Sequence, residues 1–144
     1  KFKGLKFRKQ IIFNKKNLLI INDSKSTSFS STVGLLSTFE NIYWIVGGMY
    51  KKGDKFNINR KFCRNITAYI IGTNKKYFQN QLKNKIKNNY FGTLNKAFFA
   101  SSSAKLISLS LKQEARPNMG SALFSIEIAC SKSLIDLLIL FVSK

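Results

Sequence analysis

The apolar residues of this chain occur in short runs that are separated by polar or glycine-containing segments. Residues 8–13 and 17–21 are two β-type runs on either side of Asn14-Lys15-Lys16, an arrangement that predicts a β-hairpin. Residues 42–46 and 68–71 are continuous apolar runs that end in glycine. Such runs are typical of strands that are buried on both faces of a parallel sheet.

Segments with helical spacing alternate with these runs. Residues 29–39 carry an apolar stripe after Ser and Thr residues that can cap a helix. Residues 75–86 repeat apolar side chains at the same spacing, residues 90–92 suit a short edge strand, and Thr93 can cap a helix to about residue 100. A hairpin followed by alternating strands and helices predicts an α/β fold. We expect a Rossmann-like three-layer domain with a mostly parallel sheet, right-handed crossovers and an N-terminal β-hairpin.

The composition changes near residue 100. Thirteen Asn residues lie in the first 95 positions and one in the last 44, where Ser and Leu become frequent. Residues 122–129 predict a further strand and residues 134–142 a core helix. The second run contains Asp136 and is far shorter than the roughly 20 residues that span a bilayer, so we expect no membrane partner. The tail, from about residue 100 onward, is either a natural variation or a sequence that results from a frameshift.

The 144 residues, one domain by length, carry a net charge of +19 from 25 Lys and Arg against 6 Asp and Glu. A basic surface that binds nucleic acid is one explanation. The other is coding drift toward A and T, which scatters lysines over every surface. The lysines are scattered along the chain, and Arg, the better ligand for phosphate, occurs only four times. This favours drift, and a small basic nucleic-acid-binding protein, whose binding would weaken steeply with salt, remains the alternative.

Several kinds of site are missing from the sequence. There is no His, and Cys63 and Cys130 lie far apart, so no zinc site follows from the usual spacings. We expect both thiols to be reduced and half-buried, as in a cytoplasmic protein. No GxxxxGK[ST] phosphate loop occurs, and no nucleophile, acid or base pair can be identified. The sequence therefore predicts no catalytic residue and no metal ligand.

Polar segments follow the predicted strands at residues 22–27, 47–52 and 72–75. In open α/β sheets, ligands bind beyond the carboxyl ends of the strands. Helix amino termini there present unpaired N–H groups that favour an anion, and Lys25, Thr27 and Lys51 would add two charges and a hydroxyl. These segments predict a pocket for an anionic small molecule. Helix caps, a tight turn and solvated lysines are the structural alternative for the same residues.

Three motifs resemble the carboxy-terminal domain of the Mur ligases. They read FKGLKFR, INDSKST and YWIVGGMYKKGD in this chain. The family motifs are roughly F-x-G-L-x-H-R, N-D-S-K-A-T-N and a strand that ends G-G-x-x-K. The match covers about residues 2–97 in order, and the NDSKxT segment lies after a strand and before a helix, as it does in the family. Residues from about 100 onward match the family poorly.

The resemblance implies a function for residues 1–144 as a fragment of a ligase. Mur ligases join three domains, phosphorylate a substrate carboxylate with ATP and let an amino acid amine attack the acyl phosphate. The subgroup that this chain resembles adds D-glutamate to UDP-N-acetylmuramoyl-L-alanine in peptidoglycan precursor synthesis. ATP and Mg²⁺ would be bound mainly by the other two domains, so the fragment alone would be inactive. The resemblance further implies a cytoplasmic monomer.

The resemblance also assigns roles to single residues. Arg8 and Asp23 match positions that contact ATP, at its phosphates and its ribose respectively. Thr27 and Lys51 match the pair that holds the α-carboxylate of D-glutamate, and Lys25 matches a loop lysine near the same substrate. Charge-assisted hydrogen bonds suit such an anion.

The chain departs from the family pattern at several positions. Phe7 replaces a His, and Ser26 and Ser28 replace Ala and Asn. The late family segment whose Ser and Phe hold the γ-carboxylate reads IEIACSKSLIDLLILF here, without the Pro and Phe pattern, so its roles are not transferred. A decayed, non-functional fragment is therefore a further alternative.

Overall fold

A computed structural model of the protein describes residues 4–15, 18–109 and 139–142. Its strands and helices follow one another as β1 (Gln10–Lys15), β2 (Leu18–Asn22), α1 (Phe29–Leu36), β3 (Ile42–Gly47), α2 (Arg60–Cys63), β4 (Ile66–Ile71), α3 (Lys75–Leu82), β5 (Lys87–Gly92), α4 (Leu94–Leu109) and β6 (Ile139–Val142). Within these residues, no helix has both the length and the hydropathy needed to cross a bilayer.

One six-stranded sheet has the order β1-β2-β6-β3-β4-β5. Strands β3, β4 and β5 are parallel, and β1 and β2 form the antiparallel hairpin. Strand β6 lies between β2 and β3 and is antiparallel to both, so β2 runs in the same direction as β3. The predicted α/β fold, N-terminal hairpin, central parallel strands and edge strand are confirmed.

The predicted core helix at residues 134–142 is wrong where the structure describes it. Ile139–Val142 form β6, whose backbone pairs with a strand on each side. The periodicity of a short apolar run cannot distinguish a buried strand from a buried helix. Here the run forms a strand because it fills the space between β2 and β3 and pairs with both. Residues 134–138 and the predicted strand at residues 122–129 lie outside the described residues.

The bounds of the helices differ by a few residues from those that the periodicity predicts. Helix α1 stops at Leu36, because the hydroxyls of Ser37 and Thr38 donate to the carbonyls of Val33 and Gly34, each at 2.8 Å. Side chains that bond to the backbone in this way favour helix ends over helix interiors. Helix α3 ends at Leu82, α4 continues past residue 100 and the four-residue α2 was not predicted.

Alternation of side chains along the strands divides the core into two layers. Trp44 and Ile70 point toward α1 and α3, where Phe29 contacts an aromatic cluster, and Ile45 and Tyr69 point toward α4. The cluster around Phe29 consists of Trp44, Phe56, Tyr77 and Phe78, with ring centroids 5.5–6.2 Å from that of Phe29. Helices therefore cover both faces of the sheet, as the predicted three-layer fold requires.

Two glycines should respond in opposite ways to replacement by alanine. A Cβ at Gly47 would clash with the backbone carbonyl of Ile71, whereas a Cβ at Gly34 in α1 would meet nothing within 4 Å. We expect Gly47→Ala to lower the free energy of unfolding by about 1–3 kcal/mol through overpacking. Gly34→Ala should raise it by about 0.5–1 kcal/mol. Urea unfolding of the two variants measures both changes, and equal effects would contradict this packing of β3 on β4.

The stability of the fold should fall in alkaline solution because of Tyr69. Burial of its hydroxyl, and secondarily the charge of Tyr43, raises the pKa of Tyr69 above its ordinary value of 10.0. The folded chain therefore holds this proton more tightly than the unfolded chain does. The stabilisation is complete below a pH of about 10 and is lost as the pH rises through the raised pKa. Tyr69→Phe should flatten the decline in melting temperature above about pH 10, and an unchanged decline would refute this assignment.

Candidate functional site

The carboxyl ends of the strands meet at one edge of the sheet, as the sequence predicts. Gly47 pairs with Ile71, and Ile71 pairs with Gly92. Asn22, at the end of β2, lies level with Ile45 of β3, because both residues are paired with Ile139 of β6. The loops that follow β3 and β4 are linked by a hydrogen bond from Asn74 Nδ2 to the carbonyl of Gly48 (2.8 Å). The three polar segments are therefore brought together at this edge.

The segment that carries Arg8 is held against the first of these loops. The Lys9 N–H donates to Asp23 Oδ1 at 2.9 Å, and the Lys25 N–H donates to the carbonyl of Phe7 at 3.0 Å. Phe7 and Lys9 on either side of Arg8 have φ angles of 64° and 46°. Such left-handed backbone costs energy in residues with a Cβ and tends to occur at functional sites. Arg8 is exposed beside Asp23, so the structure places these two predicted residues at one site.

The loop after β2 buries polar side chains. Asn22, Asp23, Ser24 and Ser26 are each exposed by 6% or less. Asn22 Oδ1 accepts the Ser24 N–H at 3.0 Å and thereby forms a local turn. In contrast, Asp23 Oδ2 and Ser24 Oγ are buried without a hydrogen-bond partner among the described residues. Because buried polar atoms are usually paired, these two atoms suit a hydrogen-bonding ligand or water at this position.

A small cavity of about 30 Å³ lies between α1, β3 and α3. Lys51 borders it from the loop after β3, and Ser26 and Ser28 border it from the loop after β2. Thr27 lies between these two serines and is exposed, as are Lys25 and Lys51. The structure thus brings the segments that carry Thr27 and Lys51 to the same cavity, where a bound carboxylate would meet a cation and hydroxyl groups.

The prediction of unpaired N–H groups is wrong for two N–H groups at the start of α1. The Phe29 N–H donates to Asp54 Oδ2 at 2.6 Å, and the Ser31 N–H donates to Ser28 Oγ at 3.3 Å. The sequence-based interpretation missed Asp54, which lies 25 residues from its partner in the chain. Its position in the segment KKGD, in a chain with only 6 acidic residues, was the available signal.

Positive charge is not confined to this edge of the sheet. Arg60, Lys61 and Arg64 border an open groove near the amino end of β4, and Lys96 is exposed on α4. This spread agrees with the scatter of lysines in the sequence and favours coding drift as its origin.

In the part of the chain that the structure describes, no three His, Cys, Asp or Glu residues cluster as metal ligands would. Cys63 is a half-buried free thiol, and Cys130 lies outside the described residues.

Comparison with known proteins identifies relatives of part of the chain. No family model matches. UDP-N-acetylmuramoylalanine–D-glutamate ligase of Wolbachia from Brugia malayi is 36% identical over 85 residues, which are 59% of this chain and 17% of the relative. The ligase of the same name from Agrobacterium fabrum is 38% identical over 96 residues (67% and 20%). That of Rhizobium meliloti is 31% identical over 130 residues (90% and 26%).

The resemblance to the D-glutamate-adding Mur ligases is confirmed by these relatives. The chain spans only about 17–26% of their length. The similarity to the Rhizobium ligase also reaches into the tail, because an alignment of 130 residues exceeds the first 100 positions.

Replacement of Asp23 should release the segment that carries Arg8. Loss of a hydrogen bond to a charged group costs roughly 1.5–3 kcal/mol, so in Asp23→Ala the Lys9 amide should exchange with solvent at least about tenfold faster. Asp23→Asn keeps an oxygen that can accept this N–H and should retain most of the protection. Hydrogen exchange followed by NMR measures the Lys9 amide directly, and equal protection in all three proteins would contradict the anchoring contact.

Proposed function

We propose that this chain, which is similar to a segment of the UDP-N-acetylmuramoylalanine–D-glutamate ligases, is the carboxy-terminal, amino-acid-binding domain of such a ligase. The ligase would use ATP to join D-glutamate to UDP-N-acetylmuramoyl-L-alanine in peptidoglycan precursor synthesis. The observation that carries this proposal is the meeting of the Thr27 and Lys51 segments at one cavity beyond the carboxyl ends of the strands. Sequence similarity and the position of the site support the same function.

Thr27 and Lys51 would bind the α-carboxylate of D-glutamate. The Lys51 ammonium would supply the charge and the Thr27 hydroxyl a neutral donor, and both side chains are accessible from solvent. Lys25, two residues before Thr27 on the same exposed loop, would add positive potential near this substrate. These side chains would hold the amino acid so that its amine can attack the activated carboxylate of the other substrate.

Arg8 and Asp23 would contribute to the nucleotide site. Asp23 Oδ2 has no partner within the described residues and fits a ribose hydroxyl, which would donate a hydrogen bond to this buried atom. Arg8 is exposed beside it and would meet phosphate oxygens. ATP, when bound, supplies the phosphoryl group that activates the substrate carboxylate. The phosphate loop and the residues for Mg²⁺ would come from the other domains of the ligase, so this chain alone should not turn over.

A chimeric ligase tests the proposal. This chain would replace the similar segment of the Agrobacterium fabrum ligase, and D-glutamate-dependent phosphate release would be measured. We expect activity that requires D-glutamate, because the replaced and replacing segments would have the same role. A folded chimera without such activity would refute the proposed function.

Two substitutions in the chimera should separate the substrate sites. Lys51→Ala removes a hydrogen bond to a charged group, worth roughly 1.5–3 kcal/mol, and should raise the KM for D-glutamate by about one to two orders of magnitude. Asp23→Ala should act mainly on the KM for ATP. Lys52→Ala is the matched control, because Lys52 is an exposed neighbour that does not border the cavity.

The site assignment fails if these loop residues have only structural roles. In that case, exposed loop substitutions such as Lys51→Ala shift stability by no more than about 0.5 kcal/mol and leave both KM values unchanged. Equal effects of Lys51→Ala and Lys52→Ala on the KM for D-glutamate would likewise exclude a specific contact and indicate a general loss of positive charge.

A further inference from the structure

We propose that Asp54 is a positioning residue of this site, which fixes the loop that carries Lys51 against the start of α1. It would also occupy the anion position at the amino terminus of α1, and so direct the substrate carboxylate to the side chains of Lys51 and Thr27. This inference rests on the proposed function in one respect, namely that the positioned group binds an amino acid carboxylate.

Asp54 connects three parts of the structure through three different groups. Its carboxylate accepts the Phe29 N–H of α1 at 2.6 Å. Its own N–H donates to the carbonyl of Lys51 at 3.1 Å and closes the turn that follows β3. Its carbonyl accepts the Tyr77 hydroxyl of α3 at 2.6 Å. The turn that carries Lys51 is thereby tied to both helices that flank the cavity.

Aromatic packing on both sides of Asp54 holds the same loop. Tyr50, immediately before Lys51, stacks on Tyr77 with ring centroids 4.2 Å apart and an interplanar angle of 18°. Phe56, two residues after Asp54, is 1% exposed and stacks on Trp44 at 5.6 Å. Because the loop is packed before and after Asp54, the hydrogen bond that its carboxylate accepts from α1 sets where the Lys51 backbone lies relative to that helix.

The carboxylate of Asp54 also changes which groups remain for a ligand. The amino terminus of a helix attracts an anion through its N–H groups and its dipole. In α1, Asp54 already accepts the Phe29 N–H, and Ser28 Oγ accepts the Ser31 N–H. A substrate carboxylate would therefore depend on Lys51 and Thr27 in place of the Phe29 and Ser31 N–H groups. The same site without Asp54 would leave the Phe29 N–H open to compete for the anion.

A helix cap with no role in binding is the alternative role for Asp54. A cap would change the melting temperature when it is removed and would leave the KM for D-glutamate unchanged. A positioning residue would change that KM, and would do so only through Lys51. Measurements on Asp54 and Lys51 separately and together distinguish these two roles.

The first experiment is a double-mutant cycle in the chimeric ligase. We expect Asp54→Ala to raise the KM for D-glutamate by about tenfold, since a displacement of about 1 Å in a binding group has effects of this order or larger. The KM for ATP should stay within about twofold. In the Lys51→Ala background, Asp54→Ala should add less than about twofold, because the group that it positions is already absent. Asp54→Asn keeps an oxygen for the Phe29 N–H and should restore most of the affinity.

Asn59→Ala is the matched control for the loss of a helix cap. Asn59 Oδ1 accepts the Lys61 N–H at 3.1 Å at the start of α2, near the opposite end of β4. Its removal should leave the KM for D-glutamate unchanged. An Asp54→Ala chimera with a KM for D-glutamate within twofold of the parent would overturn the inference, provided that Lys51→Ala raises it. The inference would also be overturned if the effects of Asp54→Ala and Lys51→Ala on the KM for D-glutamate multiplied in the double variant, because the two residues would then act independently.

The second experiment uses the chain alone and does not depend on activity. Asp54→Ala should accelerate exchange of the Phe29 amide by about tenfold or more, as expected for a lost hydrogen bond to a charged group, whereas Asn59→Ala should not. Unchanged exchange at Phe29 overturns the positioning role. If Lys51→Ala has no effect in an active chimera, the proposed function is wrong, and the exchange measurement still decides whether Asp54 fixes the loop.

Discussion

The common direction of β2, β3, β4 and β5 is the constraint on which the site depends. Strand β6 lies between β2 and β3 and is antiparallel to both, so these two strands run in the same direction. The carboxyl ends of all four strands then face the same edge, and every loop that leaves this edge leads toward a helix. Side chains from segments that are far apart in the chain meet there without any one segment having a complete binding motif.

Polar groups at this edge are buried in an arrangement that stability alone does not favour. A buried carboxylate oxygen on Asp23 and a buried hydroxyl on Ser24 are without partners in the described residues, and left-handed backbone occurs at Phe7 and Lys9. Each of these features costs free energy, and the aromatic layer around Phe29 offsets such costs with a large apolar contact area. Among the described residues, both left-handed residues other than glycine and asparagine, and two of the three unpaired buried side-chain atoms, lie in or next to segments that resemble ligand-contacting motifs, as expected of a binding site.

The amino terminus of α1 shows how a general rule can fail in a particular fold. Residues before the helix predict open N–H groups for an anion, yet the anion that occupies this position is Asp54 of the chain itself. The same carboxylate ties the loop after β3 to α1, so one contact both removes a potential ligand site and holds Lys51 in place. In this strongly basic chain, one of the few acidic residues therefore shapes the site beside a lysine.

Local patterns in the sequence determined the hairpin, the central strands, the starts of α1, α3 and α4 and the edge at which the polar loops lie. These features depend on residue period, on caps such as Ser28 and on glycine at strand ends, all of which act over a few neighbouring residues. Motif order also identified Arg8, Asp23, Lys25, Thr27 and Lys51 as candidates. Tertiary structure decided that Ile139–Val142 form a strand, since only the gap between β2 and β3 distinguishes that outcome from a helix. It likewise decided the partner of Asp54, because a hydrogen bond across 25 residues depends on how the loop packs over the core and not on any local pattern.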